Sequence, residues 1–116
     1  MRVKRVTANI KISDIHRADT FYHDILGLDR IMDHGWIWTY GSNSKMTVQI
    51  SFAPEGESGT GVPDLSIEVD DVETALTRVK KARIPIEYGP ESEPWGVLRF
   101  YVRDPFGKLI HILQHE

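Results

Sequence analysis

The segment LSIEVDDVETALTRV, residues 65–79, decides the fold because its hydrophobic period changes from two to about 3.6 partway along. Its first part alternates apolar and polar side chains, which predicts a strand with one buried face. Asp70, followed by Glu73 three residues later, is typical of a helix start. The apolar residues beyond it recur at helical spacing and form one stripe, made of Val72, Ala75, Leu76 and Val79.

The same change of pattern occurs in the first half of the chain. Ile12-Ser13-Asp14-Ile15 aligns with Val69-Asp70-Asp71-Val72 at an offset of 57, and the same offset places Ile10 on Ile67. The serine or the aspartate of the first stretch can cap a helix, which Gly27 would end. Both halves read as a strand, a helix and three strands, so we predict a tandem βαβββ repeat of class α+β. An unrelated α+β domain with accidental symmetry is the alternative.

The remaining elements follow from alternation and turn residues. In the first half the predicted strands cover residues 3–12, 28–33, 36–40 and 46–52. In the second half a strand begins at 84–86, residues 89–94 form a loop, and further strands cover 97–102 and 109–113. The glycine-rich polar segment 53–61 is the only credible linker. We therefore predict a single domain, 1–116, of two modules at about 1–53 and 62–116, with the linker at 54–61.

Length and composition exclude several classes of protein. A chain of 116 residues with 41% hydrophobic and 27% charged residues is typical of one globular domain. The absence of cysteine excludes a disulfide framework, a thiolate zinc site and a cysteine nucleophile. A net charge of −3 argues against a nucleic-acid partner. No apolar run reaches the ~18 residues that a membrane span needs. We expect a cytoplasmic protein.

The predicted sheets each leave one face away from the helix. That face carries mainly polar side chains on the first, fourth, fifth and eighth strands, among them Thr7, Asn9, Thr47, Gln49, Asp64, Ser66, Glu68 and His111. Such a row is either a solvated face or, if two sheets curl towards each other, the lining of a polar cleft. The sequence leaves both open.

Three segments carry a resemblance to a known family. They are FYHDILGL at residues 21–28, Trp95-Gly96, and Asp104-Pro105-Phe106-Gly107. Together with the βαβββ repeat, they resemble the vicinal oxygen chelate superfamily of glyoxalases, bleomycin-resistance proteins and extradiol dioxygenases. The Trp-Gly segment is most similar to the bleomycin-resistance branch. The resemblance implies curled mixed sheets around a cleft, and it says little about activity.

Metal-using members of that superfamily place ligands on four cleft-facing strands. Carried over by position, these ligands fall on Thr7, Gln49, Asp64 and His111. Only Asp64 and His111 are ordinary ligands of divalent metals, whereas a catalytic centre usually has three strong protein ligands. The prediction is therefore that no metal is favoured. If a divalent metal does bind, Asp64, His111 and Gln49 would hold it.

Aromatic side chains supply the other candidate site residues. Trp36, Trp38 and Tyr40 alternate on one predicted strand and would suit a flat or cationic ligand, although a sheet or dimer contact explains them equally well. Trp95 lies in a loop, where an aromatic side chain often closes a pocket. The full set of predicted ligand-binding residues is Thr7, Asn9, Trp36, Trp38, Gln49, Trp95 and Tyr101.

Two functions follow from these residues and the resemblance. The first is a protein that binds a small aromatic or cationic molecule without metal. The alternative is an enzyme, a lyase, isomerase or dioxygenase of the glyoxalase type with an atypical metal site or a metal-free acid–base pair. Asp64 and His111 would then be the catalytic pair, with Gln49 orienting the substrate. His111 could equally be an ordinary polar residue on a half-buried strand.

The resemblance also predicts an assembly. Short two-module chains of this superfamily usually pair the first module of one subunit with the second module of another. We expect a two-fold homodimer with two equivalent clefts. Thr7 and Gln49 of one subunit would then face Asp64 and His111 of the other.

Overall fold

The computed structural model describes residues 2, 7–8, 10–45 and 51–116. The chain divides into two compact units, Met1–Phe52 and Ala53–Glu116. Most of the strand predicted over 46–52, and half of the one predicted over 3–12, lies outside the described residues. The described positions of both stretches are not in strands. The single-domain arrangement of the two units stays a prediction.

The first unit contains a helical segment and a two-stranded antiparallel sheet among its described residues. The segment Asp19–His23 is π-helical and buries Phe21, and the strands are β1, Asp29–Asp33, and β2, Trp38–Gly41. The predicted cap by Asp14 is present, because its side chain accepts a hydrogen bond from the His16 amide at 3.1 Å. Gly27, at φ +72°, ends the helical turns as predicted. The prediction differs from the structure between these ends, where Asp19–His23 is π-helical. The predicted strand 36–40 begins only at residue 38, since a turn with Gly35 at φ +83° precedes it.

The second unit has the predicted βαβββ order. It consists of β3, Leu65–Glu68; α1, Val72–Lys81; β4, Ile86–Glu93; β5, Val97–Arg103; and β6, Leu109–His115. The sheet order is β3-β6-β5-β4, with β3 parallel to β6 and the other pairs antiparallel. The N-cap of α1 is Asp71 and not Asp70, because the Asp71 side chain accepts a hydrogen bond from the Thr74 amide at 3.2 Å.

The prediction of a loop over 89–94 is wrong, since β4 continues to Glu93 with two register irregularities. Pro90 is tolerated there because β4 is an edge strand, where a missing amide hydrogen breaks no ladder. Gly89, at φ +80°, packs so closely that a Cβ atom would collide with the Arg99 carbonyl oxygen. A glycine and a proline that predict a loop in the sequence thus lie in a strand.

The core of the second unit lies between α1 and one face of its sheet. Phe100, Ile110 and Ile112 on the sheet are completely buried, as are Val72 and Val79 on the helix. The opposite face of the same strands carries polar and aromatic side chains. In the described part of the chain, no helix combines the length and apolar character that crossing a membrane requires.

Candidate functional site

Strand alternation places a group of buried polar and aromatic side chains on the sheet face opposite α1. Arg99 and Tyr101 are two residues apart on β5 and therefore share this face. The partner strand β4 brings Tyr88 opposite Tyr101, and Glu93 ends that strand. The turn between the strands contributes Trp95. We call this group the Arg99 cluster; its members are Tyr88, Glu93, Trp95, Arg99 and Tyr101.

The charges at the centre of the cluster are removed from solvent. Arg99 is 3% exposed and Glu93 is 8% exposed. The Arg99 Nε atom lies 3.5 Å from Glu93 Oε1, so the residues form an ion pair. The orientation does not meet the geometry of a hydrogen bond, and Nε is buried without a hydrogen-bond partner among the described residues. The pairing therefore compensates the charge but leaves an N–H group unsatisfied.

The Glu93 carboxylate is better satisfied than its arginine partner. Its Oε1 accepts a hydrogen bond from the Tyr88 hydroxyl, and its Oε2 accepts one from the Ser58 hydroxyl at 2.9 Å. The Tyr88 hydrogen bond is the main reason that the pKa of Glu93 lies below its usual value, with smaller contributions from Ser58 and Arg99. Glu93 is consequently ionised at neutral pH.

Three aromatic rings surround the Arg99 guanidinium. Its central carbon lies 5.2 Å from the ring centroids of Tyr88, Trp95 and Tyr101. These distances allow cation–π attraction, which is stronger away from water. Tyr101 is buried and Tyr88 is half-buried, whereas Trp95 is 50% exposed. The cluster therefore presents the Trp95 ring to solvent, and the buried Arg99 guanidinium lies next to that ring on its inner side.

The segment predicted as a linker is folded against this cluster. The Gly56 carbonyl accepts a hydrogen bond from Arg99 Nη2 at 3.1 Å, and the Thr60 hydroxyl lies 3.4 Å from the Tyr101 hydroxyl. A turn holds the two ends of the segment together, because the Gly56 amide donates to the Thr60 carbonyl. Residues 56–60, the capping loop, thus close the Arg99 cluster within the second unit.

His111 lies beside the cluster on β6. Its ring centroid is 5.1 Å from that of Tyr101, and its Nδ1 is 3.0 Å from the Ser66 hydroxyl. Burial, with a smaller contribution from the Arg99 charge, lowers the pKa of His111 to about 4. The imidazole is therefore neutral at pH 7 and a weak base. Its Nε2 is buried without a hydrogen-bond partner among the residues described.

The structure gives the two predicted catalytic residues different partners. Asp64 uses its carboxylate to accept a hydrogen bond from the Leu109 amide at 2.7 Å, and its own amide donates to the Leu109 carbonyl. Asp64 therefore ties the start of β3 to β6, while His111 bonds to Ser66. The proposed acid–base pairing of Asp64 with His111 stays a prediction.

The described residues do not fit a metal centre. Within residues 2, 7–8, 10–45 and 51–116, no three histidine or carboxylate side chains converge on one point. Asp64 Oδ2 accepts a hydrogen bond from the Leu109 amide, while the His111 Nε2 atom has no hydrogen-bond partner among the described residues. Gln49, the third predicted ligand, lies outside the described residues.

The other predicted site residues belong to the first unit. Thr7 is exposed, Trp36 is 81% exposed in a turn, and Asn9 lies outside the described residues. Trp38 is half-buried, with the Arg30 guanidinium carbon 3.6 Å above its ring. We call the surrounding group the Arg30 cluster; its members are Asp19, Arg30, Trp38 and Tyr40.

Arg30 binds Asp19 at 2.6 Å, and the Tyr40 hydroxyl donates to the same carboxylate. The hydrogen bond from Tyr40 is the main reason that the pKa of Asp19 is lowered. Burial and that hydrogen bond raise the pKa of Tyr40 to about 12. Because this network holds Arg30 over the Trp38 ring, that face of the ring contacts the protein itself.

Tyr101 and Trp95 were predicted as ligand-binding residues, whereas Arg99, Glu93 and Tyr88 were not. One sequence signal was available for Arg99, because it lies in an otherwise apolar strand, Val97–Arg103, and shares a face with Tyr101. Glu93 and Tyr88 were missed because the predicted loop over 89–94 interrupted their strand.

A model of the Glyoxalase/Bleomycin resistance protein/Dioxygenase superfamily matches residues 4–112 of the chain. A comparison with curated proteins finds no match. Among solved structures, the fold is similar to that of an antibiotic binding protein from a Streptomyces species, with a TM-score of 0.73, 22% identity and coverage of 100% of this chain and 99% of that one.

Two further structures are similar at a lower TM-score. The lactoylglutathione lyase from Agrobacterium tumefaciens has a TM-score of 0.62 at 22% identity, covering 87% of this chain and 85% of that one. A superfamily member from Sphaerobacter thermophilus has a TM-score of 0.62 at 20% identity, covering 93% and 94%. At these identities the similarity concerns the fold.

Proposed function

The chain belongs to the Glyoxalase/Bleomycin resistance protein/Dioxygenase superfamily, and from that membership we propose that it binds a small aromatic molecule against Trp95 of the Arg99 cluster. The exposed ring of Trp95 is the observation that carries the proposal. A half-exposed tryptophan offers a flat surface, and Arg99 behind it holds the ring in place. Because the ring is already held in place, a ligand that stacks on it would restrict the protein little further.

The similarity to an antibiotic binding protein supports a binding role, because that protein has the same fold and binds a small molecule. The ligand of this chain does not follow from the relative. The residues of the Arg99 cluster indicate the class of ligand instead.

We propose binding without a metal, because no three histidine or carboxylate side chains converge among the described residues and Asp64 and His111 bond to different partners. The alternative of a lyase, isomerase or dioxygenase would need His111 as a proton acceptor or metal ligand. A pKa of about 4 makes its ring a poor general base at neutral pH. The pKa therefore disfavours the acid–base version of the alternative, and the lack of three converging ligand side chains among the described residues disfavours its metal version.

We further propose that the ligand cleft forms in a homodimer, as expected from the superfamily. Light scattering at micromolar concentration tests this part independently. The proposal expects a mass near twice 13.3 kDa, and a mass near 13.3 kDa would contradict it.

Calorimetric titration with 2-naphthylmethanol, a neutral flat probe, tests the binding role. We expect saturable binding that Trp95→Ala weakens by about two- to tenfold, since one aromatic contact contributes roughly 0.5–1.5 kcal/mol. Trp36→Ala is the matched control, because Trp36 is 81% exposed and lies outside the cluster. No binding, or an equal loss in both variants, would contradict the proposal.

A further inference from the structure

The hydrogen bonds of the Arg99 cluster are unevenly satisfied. Both carboxylate oxygens of Glu93 accept hydrogen bonds from hydroxyl groups, whereas Arg99 Nε is buried without a hydrogen-bond acceptor among the described residues. A buried N–H group without an acceptor costs free energy. The cluster can therefore gain more from a ligand that accepts hydrogen bonds than from one that donates them.

The capping loop shows which chemistry fits the guanidinium. A carbonyl oxygen, that of Gly56, occupies one acceptor position at Arg99 Nη2. Arginine donors form planar pairs that suit a carboxylate or another oxygen acceptor. The loop carbonyl thus occupies a place that an oxygen atom of a ligand can take.

The conformation of the capping loop makes it displaceable. Glu57 and Ser58 are consecutive non-glycine residues with φ values of 63° and 51°, a region that L-residues seldom adopt. Both residues are exposed, so few apolar contacts hold this turn. Its hydrogen bonds to Arg99 and Glu93 hold it in place, and a ligand that replaces them releases the strain.

The charges near the site favour the same class of ligand. Arg99 and Glu93 neutralise each other, and the neighbouring His111 stays neutral at pH 7. A cationic ligand would approach Arg99, while the carboxylate that could attract it already has two donors. An anionic or carbonyl oxygen meets one unsatisfied donor, Arg99 Nε, and the Nη2 donor that the Gly56 carbonyl now occupies.

We propose that the Arg99 cluster recognises a flat aromatic molecule carrying an acceptor oxygen, and that this oxygen replaces the Gly56 carbonyl at the Arg99 guanidinium as the capping loop opens. Carboxylates, phenolates and ring carbonyls belong to this class. The inference rests on the proposed function, because it assumes that the aromatic part stacks on Trp95. It makes residues 56–60 a lid that competes with the ligand.

Three probes of matched shape test the ligand class by calorimetry: 2-naphthoate, 2-naphthylmethanol and 2-naphthylmethylammonium. We expect 2-naphthoate to bind at least tenfold more tightly than the ammonium probe. Equal binding, or preference for the ammonium, would overturn the inference while leaving the proposed function intact if Trp95→Ala still weakens 2-naphthylmethanol. If no probe binds with dependence on Trp95, the proposed function fails and the inference fails with it.

Gly56→Ala tests the lid. A Cβ atom at this position would overlap with the Gly61 carbonyl and the Thr60 hydroxyl, so the closed turn cannot form unchanged. We expect the affinity for 2-naphthoate to rise about fivefold or more, because the competing state is depopulated. Gly61→Ala is the matched control, since its Cβ atom would meet only Leu109 at 3.8 Å. An unchanged or weaker affinity in folded Gly56→Ala would overturn the lid.

Arg99→Lys tests the guanidinium itself. This variant keeps a positive charge opposite Glu93, which protects folding, but it removes the planar pair of donors. We expect 2-naphthoate to bind about tenfold more weakly and 2-naphthylmethanol to change less than twofold. An equal change for both probes would show that Arg99 does not read the acceptor oxygen and would overturn the inference.

Discussion

The Arg30 cluster of the first unit and the Arg99 cluster of the second unit are built from the same kinds of residue. Each combines an arginine, a tryptophan, a carboxylate and at least one tyrosine. The side chains of Arg30 and Asp19 are 34% and 31% exposed, whereas those of Arg99 and Glu93 are 4% and 5% exposed. Burial is therefore what distinguishes the two clusters.

The Arg30 side chain is exposed enough for water to complete the hydrogen bonds of its guanidinium. In the Arg30 cluster, the guanidinium binds two carboxylates and covers Trp38 at 3.6 Å. In the Arg99 cluster, water cannot complete the hydrogen bonding of Nε, and the tryptophan keeps its outer surface open. Each cluster buries one donor without a partner among the described residues, the Trp38 indole Nε1 in the first and Arg99 Nε in the second. The second cluster differs because its tryptophan ring is open to a ligand, whereas Arg30 covers the Trp38 ring.

The largest expected effect comes from breaking the buried pair. Arg99→Met leaves Glu93 ionised without its cation, so we expect the free energy of unfolding to fall by about 3 kcal/mol. Arg30→Met is the matched control, and its effect should be much smaller because exposed ion pairs contribute little. Denaturant unfolding measures both. Equal losses of unfolding free energy in the two variants would contradict the claim that burial distinguishes the two clusters.

The second effect is a pH dependence from His111. Its pKa falls from 6.5 to about 4 on folding, so only the unfolded state binds a proton between these values. Stability is therefore lost as the pH falls from 6.5 towards 4, by roughly 1–2 kcal/mol once partial exposure of the ring is allowed for.

His111→Gln provides the comparison for this pH dependence, because it removes the titrating group and keeps a polar side chain. The difference in unfolding free energy between wild type and variant should change within that window and level off above pH 7. A difference that stays constant from pH 4 to 7 would contradict the assignment.

The smallest effect is expected in the Arg30 cluster. Tyr40→Phe removes one hydrogen bond to a partly exposed carboxylate, so stability at pH 7 should change by about 0.5–1 kcal/mol. The raised pKa of Tyr40, about 12, means that the stability it contributes is lost as the pH rises from 10 towards 12. Spectrophotometric titration should show one tyrosine fewer in the latest phase of the variant. An unchanged latest phase would contradict the role of Tyr40.

Local pattern was sufficient to predict much of the second unit. The alternation in 65–69 and the stripe from Val72 to Val79 correspond to β3 and α1. Gly89 and Pro90 led to the wrong prediction of a loop, because whether these residues interrupt a strand depends on the position of that strand in the sheet. In an edge strand, both residues are compatible with continued pairing. Sheet order is a tertiary property that a local pattern does not contain.

The candidate site was only partly predictable for a similar reason. The sequence predicts Tyr101 and Trp95 as ligand-binding residues because aromatic residues on strands and in loops are recognisable in a sequence, and their role in binding stays a prediction. Arg99 gains its importance from Glu93 and from the Gly56 carbonyl, which lies 43 positions away in the chain. A polar, glycine-rich segment predicts a linker, and only long-range hydrogen bonds reveal that it caps a buried cation.

The most direct test of the binding site is a titration of isotope-labelled protein with 2-naphthoate, followed by nuclear magnetic resonance. The side-chain N–H signals of Arg99 and Trp95 report on the cluster, and those of Trp36 and Trp38 report on the first unit. We predict saturable shifts of the Arg99 Nε–H and Trp95 indole signals, with the other two indoles nearly unchanged. Saturable shifts confined to Trp36 and Trp38 would contradict a ligand site at the Arg99 cluster.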